Sequence, residues 1–389
     1  MPLTYCLNVH PGETWEENFA TLRGTVLAVR DLVSPGKRFG LGLRLSARAA
    51  GELADPARIA ELTRFLQGEE LYIFTINGFP YGRFHGGPVK ENVYAPDWRS
   101  TERRDYTNQL ATILAALIPE GEVGSISTVP CSWKAWIQSS AEIDVIVDHL
   151  TDCVAHCAAI AAHQGRDILL ALEPEPGCLL ETTAETLDFF NAHLFARGTG
   201  LLAAKLATSR VSACALIRHH LGVCLDTCHT ALQFEEPAES LQRYEAEGIC
   251  VPKIQISSAL RTDVSQAALD AMRPYAEGVY LHQVKARTAT GEILGWTDLP
   301  QALDALAALP TTAAREARVH FHVPLHFAGS GPLKSTGALL TPEFLTYIAR
   351  DPLRHLEIET YTWEVLPESL RATSIEESIA AEFLWLKSR

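Results

Sequence analysis

Short apolar runs alternate with longer stretches of helical spacing along this chain. The runs Leu3–Asn8, Gly40–Leu45, Leu71–Asn77, Gly124–Pro130, Ile168–Glu173, Gly222–Asp226, Val251–Ser257, Val319–Val323 and Leu356–Tyr361 read as strands, with a further short run at Val279–Val284. Between them, Glu13–Leu32 and Ala141–His163 repeat apolar residues at helical spacing. Thr182 and Glu185 form a capping-box pattern, and Thr341 precedes a proline at a first helical position. This βα rhythm predicts an α/β fold with a parallel sheet.

Eight such units close a (β/α)8 barrel, and this is the fold class expected here. The surplus strand candidates, Val279–Val284 and Val319–Val323, then belong to additions. A doubly wound sheet fits the alternation less well, because no GxGxxG follows any strand. Two connections are long. Gly78–Arg99, after the third strand, is rich in Gly, Pro and aromatic residues and reads as a lid or binding loop. Leu260–Arg318 holds helical pieces and reads as an insertion. The expectation is one barrel domain over 1–389 with an insertion at about 260–318.

Composition narrows the partners. Thirty-three basic against 47 acidic residues leave a net charge of −14, which disfavours nucleic acid and anionic membranes. Nine cysteines without a CxxC pair read as reduced thiols in a cytoplasmic protein. No leader pattern is evident, no Asn-x-Ser/Thr occurs, and charges break the apolar stretch Leu201–Leu225, so no membrane span is expected.

Barrel chemistry sits at the C-terminal ends of strands. There the chain places Asn8 and His10, then Asn77 with His85, Glu173 with Glu175, Asp226 with His229, Gln255, His282, His320 with His322, and Glu359. Carboxylates converging on one pocket repel unless a cation joins them, so a divalent ion (Mn, Zn or Mg) is the expected cofactor. Each residue also has a plainer use. Asp226 suits a helix cap, His229 a substrate contact, and His320 and His322, sharing one strand face, a structural cluster. Glu357 is expected to face away from Glu359. In the long loop, Arg83 or Lys90 suits an anion and the aromatics suit stacking. GxxxxGK[ST], HExxH and GxSxG are absent.

Glu173, Asp226-Thr-Cys-His229 and the terminal-strand Glu359 resemble the xylose isomerase-like TIM-barrel superfamily of sugar isomerases, epimerases and apurinic endonucleases. More specifically, Thr4-Tyr-Cys-Leu-Asn8-Val-His10-Pro-Gly-Glu-Thr-Trp15 resembles the opening of the EboE family of metabolite-traffic proteins. So do Asn77-Gly-Phe-Pro-Tyr-Gly-Arg-Phe-His85-Gly, His320-Phe-His-Val-Pro-Leu-His326 and Leu356-Glu-Ile-Glu-Thr-Tyr-Thr-Trp363.

The resemblance implies metal ligands at Glu173, Asp226 and Glu359. Gln255 stands where the superfamily usually has a histidine, so His229, His282 and His322 are added to the expected set. Glu173 and Glu359 are the expected proton-shuttling pair. Asn8, His10, Asn77, His85 and Gln255 are the expected substrate contacts. The implied activity is isomerase- or epimerase-like, on a sugar-like or polyol metabolite of a secondary-metabolite trafficking pathway, with other Ebo-operon proteins as partners. A binding barrel without turnover and an endonuclease-like phosphodiesterase are the alternatives.

Overall fold

The computed structural model describes residues 2–310, 313–371 and 373–389. Eight parallel strands form its centre: β1 (Leu3–Tyr5), β2 (Phe39–Arg44), β3 (Leu71–Asn77), β4 (Val123–Thr128), β5 (Asp167–Leu172), β6 (Leu221–Asp226), β7 (Lys253–Ile256) and, last in the chain, β13 (His355–Ile358). Their order is β1-β13-β7-β6-β5-β4-β3-β2, and a parallel bridge from Cys6 to Gly42 joins the two outer strands. The result is a nearly closed (β/α)8 barrel ringed by helices. β2, β6, β7 and β13 are buried at every residue; β7 and β13 nevertheless alternate, with Lys253, Gln255, His355 and Glu357 among their buried side chains.

The helices start where side chains satisfy free backbone N–H groups. Thr14 and Glu17 close a capping box before Trp15–Thr21, and Thr182 and Glu185 do so before Thr183–Phe189. Thr341 accepts from Phe344 N–H at 3.2 Å ahead of Pro342–Ile348. Ser140–Gln164 ends on Gly165 at φ +63°, a left-handed position suited to glycine. By length and apolarity this 25-residue helix could cross a membrane, but half of its most apolar window is buried within the fold.

Between β7 and β13 lies a second, antiparallel sheet. Its strands are β8 (Ala259–Asp263), β9 (Val284–Thr288), β10 (Ile293–Trp296), β11 (Ala314–His322) and β12 (Leu333–Ser335), in the order β10-β9-β11-β8-β12. The two surplus candidates fall here. Val319–Val323 is the end of β11, whereas 279–283 is loop and only Val284 begins a strand. The added segment therefore extends past residue 318, because β11 and β12 complete the sheet. It has its own apolar core around Leu260, Met272, Val319 and Phe321.

The barrel interior is polar near its axis. Lys253 and Glu357 meet at 2.7 Å with both side chains fully buried. Glu357 thus faces inward, on the same side as Glu359, as residues two apart on a strand must. Gly42 makes room for it: a Cβ there would lie 2.0 Å from Glu357 Oε1. The long loop after β3 is pinned by Arg103, whose guanidinium donates to the carbonyls of Pro96, Gly78 and Phe79 at 2.8–2.9 Å. Its far side reaches the added sheet's connections, with Val89 N–H on Val279 O at 2.7 Å and Lys90 Nζ on Asp298 at 2.7 Å.

Candidate active site

Three carboxylates meet at the C-terminal mouth of the barrel. Glu173 follows β5, Asp226 ends β6, and Glu359 follows β13; one oxygen from each lies within 4.8 Å of the others, and all three are buried. Asp226 does two jobs. Its Oδ1 caps the helix Thr227–Leu232 through His229 N–H at 2.9 Å and accepts from Ser257 Oγ at 2.8 Å. Its Oδ2 is buried without a partner. Glu359 Oε1 accepts from Asn8 Nδ2 at 2.7 Å and Asn77 Nδ2 at 3.2 Å. Glu173 Oε2 has no partner.

Imidazoles complete the cluster, two of them from β11. His322 donates Nδ1–H to the Glu359 carbonyl at 2.8 Å, which leaves its buried Nε2 unpartnered. His229 Nδ1 lies 3.0 Å from the Pro174 carbonyl. His320 Nδ1 lies 2.6 Å from Gln283 Oε1. The Gln283 amide is oriented by its Nε2, which donates to Tyr94 Oη and the Pro176 carbonyl, both at 2.9 Å. Both Nδ1 atoms therefore carry hydrogen, and both Nε2 lone pairs face the site. Those two Nε2 atoms are 3.0 Å apart. Two lone pairs at that distance repel unless a proton or a cation lies against them.

The electrostatics agree. Burial, with the Asp226 charge added, pushes the Glu173 carboxyl well above its ordinary range. Burial and the Glu173 charge do the same to Glu359. Burial lowers His229 to about 4 and also lowers His320 and His322, so these rings are neutral donors of lone pairs. The His229 N–H, donated to Oδ1, favours the charged form of Asp226 against its burial. A divalent cation fits these donors: Glu173, Asp226 and Glu359 form one group, and Asp226, His229 and His322 another that shares Asp226.

The other expected residues lie as follows. Asn8 and Asn77 orient Glu359. Gln255 sits in β7, fully buried, with Oε1 accepting from Cys224 Sγ at 3.2 Å. His282 lies apart, since its Nδ1 meets the His320 carbonyl and its Nε2 meets Glu277, both at 2.8 Å. His10 bonds to Tyr5 Oη at 3.0 Å, away from the carboxylates. His85 bridges the Asn8 carbonyl at 2.6 Å and Tyr280 Oη at 2.9 Å. Lys90 and Arg99 are ion-paired within the protein, to Asp298 and to Asp97 and Glu142.

Two further strand-end candidates belong here. His320 joins the site by sharing a face with His322. Glu175 lies beside His229 and His320; Tyr94 Oη donates to it at 2.7 Å, and burial raises its carboxyl to about 8. Only their spacing from His322 and Glu173 signalled them. Above the cluster opens a chamber that is partly open to solvent.

A parallel barrel with carboxylates and imidazoles at its strand ends defines the class: a TIM barrel with side chains that could hold a metal ion at its mouth. No protein-family model matches the chain, and no curated protein matches it. Among solved structures it is similar to a xylose isomerase-like TIM barrel protein from Mycobacterium smegmatis in complex with magnesium, at 11% identity over 100% of this chain and 97% of that one, TM-score 0.48. It is also similar to the IOLI protein with a bound zinc atom, at 14% identity over 100% and 96%, TM-score 0.46. A third is an L-ribulose 3-epimerase, at 13% identity over 100% and 94%, TM-score 0.47.

Proposed function

We propose that this protein is a metal-dependent, isomerase- or epimerase-like enzyme acting on a small metabolite through an α-hydroxycarbonyl group or vicinal diol. The carrying observation is the gathering of Glu173, Asp226 and Glu359 around one point, adjoined through Asp226 by His229 and His322, with Glu173 Oε2, Asp226 Oδ2 and His322 Nε2 each buried and unpartnered. Glu173, Asp226 and Glu359, with His229 and His322 gathered at Asp226, would hold the ion; His282 leaves the set, and His320 lies beside it. The ion would polarise the carbonyl of a bound substrate. Asn8 and Asn77 hold Glu359 by one oxygen and fix its direction. Glu173 would hold the ion by one carboxylate oxygen and use the other to take a proton from a substrate carbon and return it. The barrel and the added sheet act as one unit in this reading, because both supply site residues.

Metal analysis after reloading with Mn²⁺ or Zn²⁺ should find stoichiometric ion in the wild type and a large loss in Asp226→Ala. Incubation with ketoses in D₂O should place deuterium on the carbon next to the carbonyl, and Glu173→Gln should abolish it. Finding no bound ion in the wild type, or the same content in Asp226→Ala, overturns the reading.

A second reading, metabolite binding without turnover, is favoured by Gln255, an uncharged amide buried below the carboxylates. Deuterium exchange that Glu173→Gln abolishes would exclude it. The quoted stretches resembling the EboE family support a place in secondary-metabolite traffic, with other Ebo-operon proteins as partners. The nine unpaired thiols support a cytoplasmic setting. The net charge and the paired Lys90 and Arg99 argue against a nucleic-acid substrate.

A further inference from the structure

The chamber above the carboxylates is divided by polarity. Its floor carries Asn8, Glu173, His229, His320 and Glu359. Its walls are formed by Phe79, Phe84, Val93, Tyr94, Tyr280 and Tyr361. Phe84, Tyr280 and Tyr361 form one aromatic cluster, with ring centroids 5.1–5.4 Å apart. Each comes from a different segment: the long loop after β3, the connection before β9, and the turn after β13. The wall is thus assembled from three separate stretches of chain.

Three of its polar groups, on Tyr94, Tyr280 and Lys90, are already engaged. Tyr94 Oη donates to Glu175 and accepts from Gln283. Tyr280 Oη meets His85 Nδ1 at 2.9 Å, and His85 Nε2 meets the Asn8 carbonyl. Lys90 Nζ is held by Asp298 at 2.7 Å and the Glu277 carbonyl at 3.3 Å. A free monosaccharide carries hydroxyls on every side. Seated here, it would find partners at the floor and leave hydroxyls unpaired against aromatic faces, which buried polar groups do not tolerate.

We propose that the substrate is amphipathic: an α-hydroxycarbonyl or vicinal-diol head at the floor, joined to an aliphatic or aromatic body that fills the upper chamber. This rests on the metal-centre reading and adds the class of substrate to it. The head would meet the ion and Asn8, whose Oδ1 is buried without a partner. The body would contact ring faces and the Val93 side chain.

Alkyl hydroxamates test this, because their two adjacent oxygens mimic the head and their chain length is adjustable. Acetohydroxamate, hexanohydroxamate, octanohydroxamate and the non-chelating octanamide are titrated calorimetrically into the Mn²⁺-loaded full chain and into the EDTA-treated chain. Affinity should rise about two- to fourfold per added methylene. Octanohydroxamate should bind far more tightly than octanamide, and only with the ion present. Phe84→Ser and, as a milder change, Val93→Ser should each flatten the dependence on chain length. Mn²⁺-dependent binding of acetohydroxamate with no gain, or a loss, on lengthening would overturn the amphipathic substrate and leave the metal centre standing. Failure of every hydroxamate to distinguish loaded from EDTA-treated protein would overturn the metal centre and this inference with it.

Discussion

Single residues here hold the site in shape through hydrogen bonds that are themselves buried. Asn8 and Asn77 converge on Glu359 Oε1 from β1's end and from β3, so neither the distance nor the direction of that carboxylate is left to its own rotamers. Groups that orient ligands in this way typically change metal affinity 10–100-fold when removed, by about that order. Asn77→Ala should therefore weaken Mn²⁺ binding by about 10-fold or more in calorimetry. Unchanged affinity would show that Glu359 is not a ligand.

Glu382 acts one step further out. Its Oε1 accepts from Leu325 N–H at 3.0 Å and from Thr360 Oγ1 at 2.7 Å, pinning the residue next to Glu359. Burial raises its carboxyl from 4.5 to about 7. The raised folded value favours the protonated side chain, so its benefit is full below about pH 4.5 and is lost as pH rises toward 7. Glu382→Gln should thus stabilise the fold at pH 8 by up to about 2–3 kcal/mol and change little at pH 4.5, read from urea melts at both values. Equal effects at the two pH values would show that Glu382 does not titrate in this range.

At the scale of elements, the pairing of β7 with β13 contains the costliest contact in the barrel. Lys253 and Glu357 are opposed at 2.7 Å without solvent, and Lys253 Nζ reaches Ser127 Oγ at 3.2 Å. Breaking such a pair leaves a lone buried charge, at a cost of about 3–5 kcal/mol, while replacing both partners is often neutral. Lys253→Met alone should destabilise by that amount, and Lys253→Met with Glu357→Leu should recover most of it. A double mutant as unstable as the single one would mean that packing, not charge, dominates at this position.

The same elements show what was legible in the chain. Barrel strands such as β6 announce themselves because both faces are buried, and Glu173, Asp226 and Glu359 follow from where those runs stop. The added sheet was hidden. β10 buries none of its four residues and β9 alternates, so neither gives a strong apolar run. His282 and His320 look equivalent in sequence, one in a short apolar run and one in a strand. Only the fold shows that loop 279–283 ties both nitrogens of His282 to Glu277 and the His320 carbonyl, while β11 aims His320 into the mouth.

Across the whole molecule, the carboxylate cluster sets function against stability. Glu173 carries a charge that burial and Asp226 disfavour, with an oxygen that has no donor. A protein that folds without the ion must tolerate that repulsion or keep the carboxyl protonated. Binding of an ion to the folded state alone adds about 2.7 kcal/mol when its concentration is 100 times Kd. Stability should therefore invert with metal. In EDTA at pH 8, Glu173→Gln should melt above the wild type, by a shift of a few degrees, because it removes an unfavourable buried charge. With saturating Mn²⁺ the wild type should rise past the variant, which lacks one anionic ligand. Thermal melts of both proteins in both buffers give the four values needed. If the order in EDTA already favours the wild type, Glu173 is held by contacts within the fold rather than kept for an ion. If Mn²⁺ shifts both proteins equally, the ion binds somewhere other than beside Glu173.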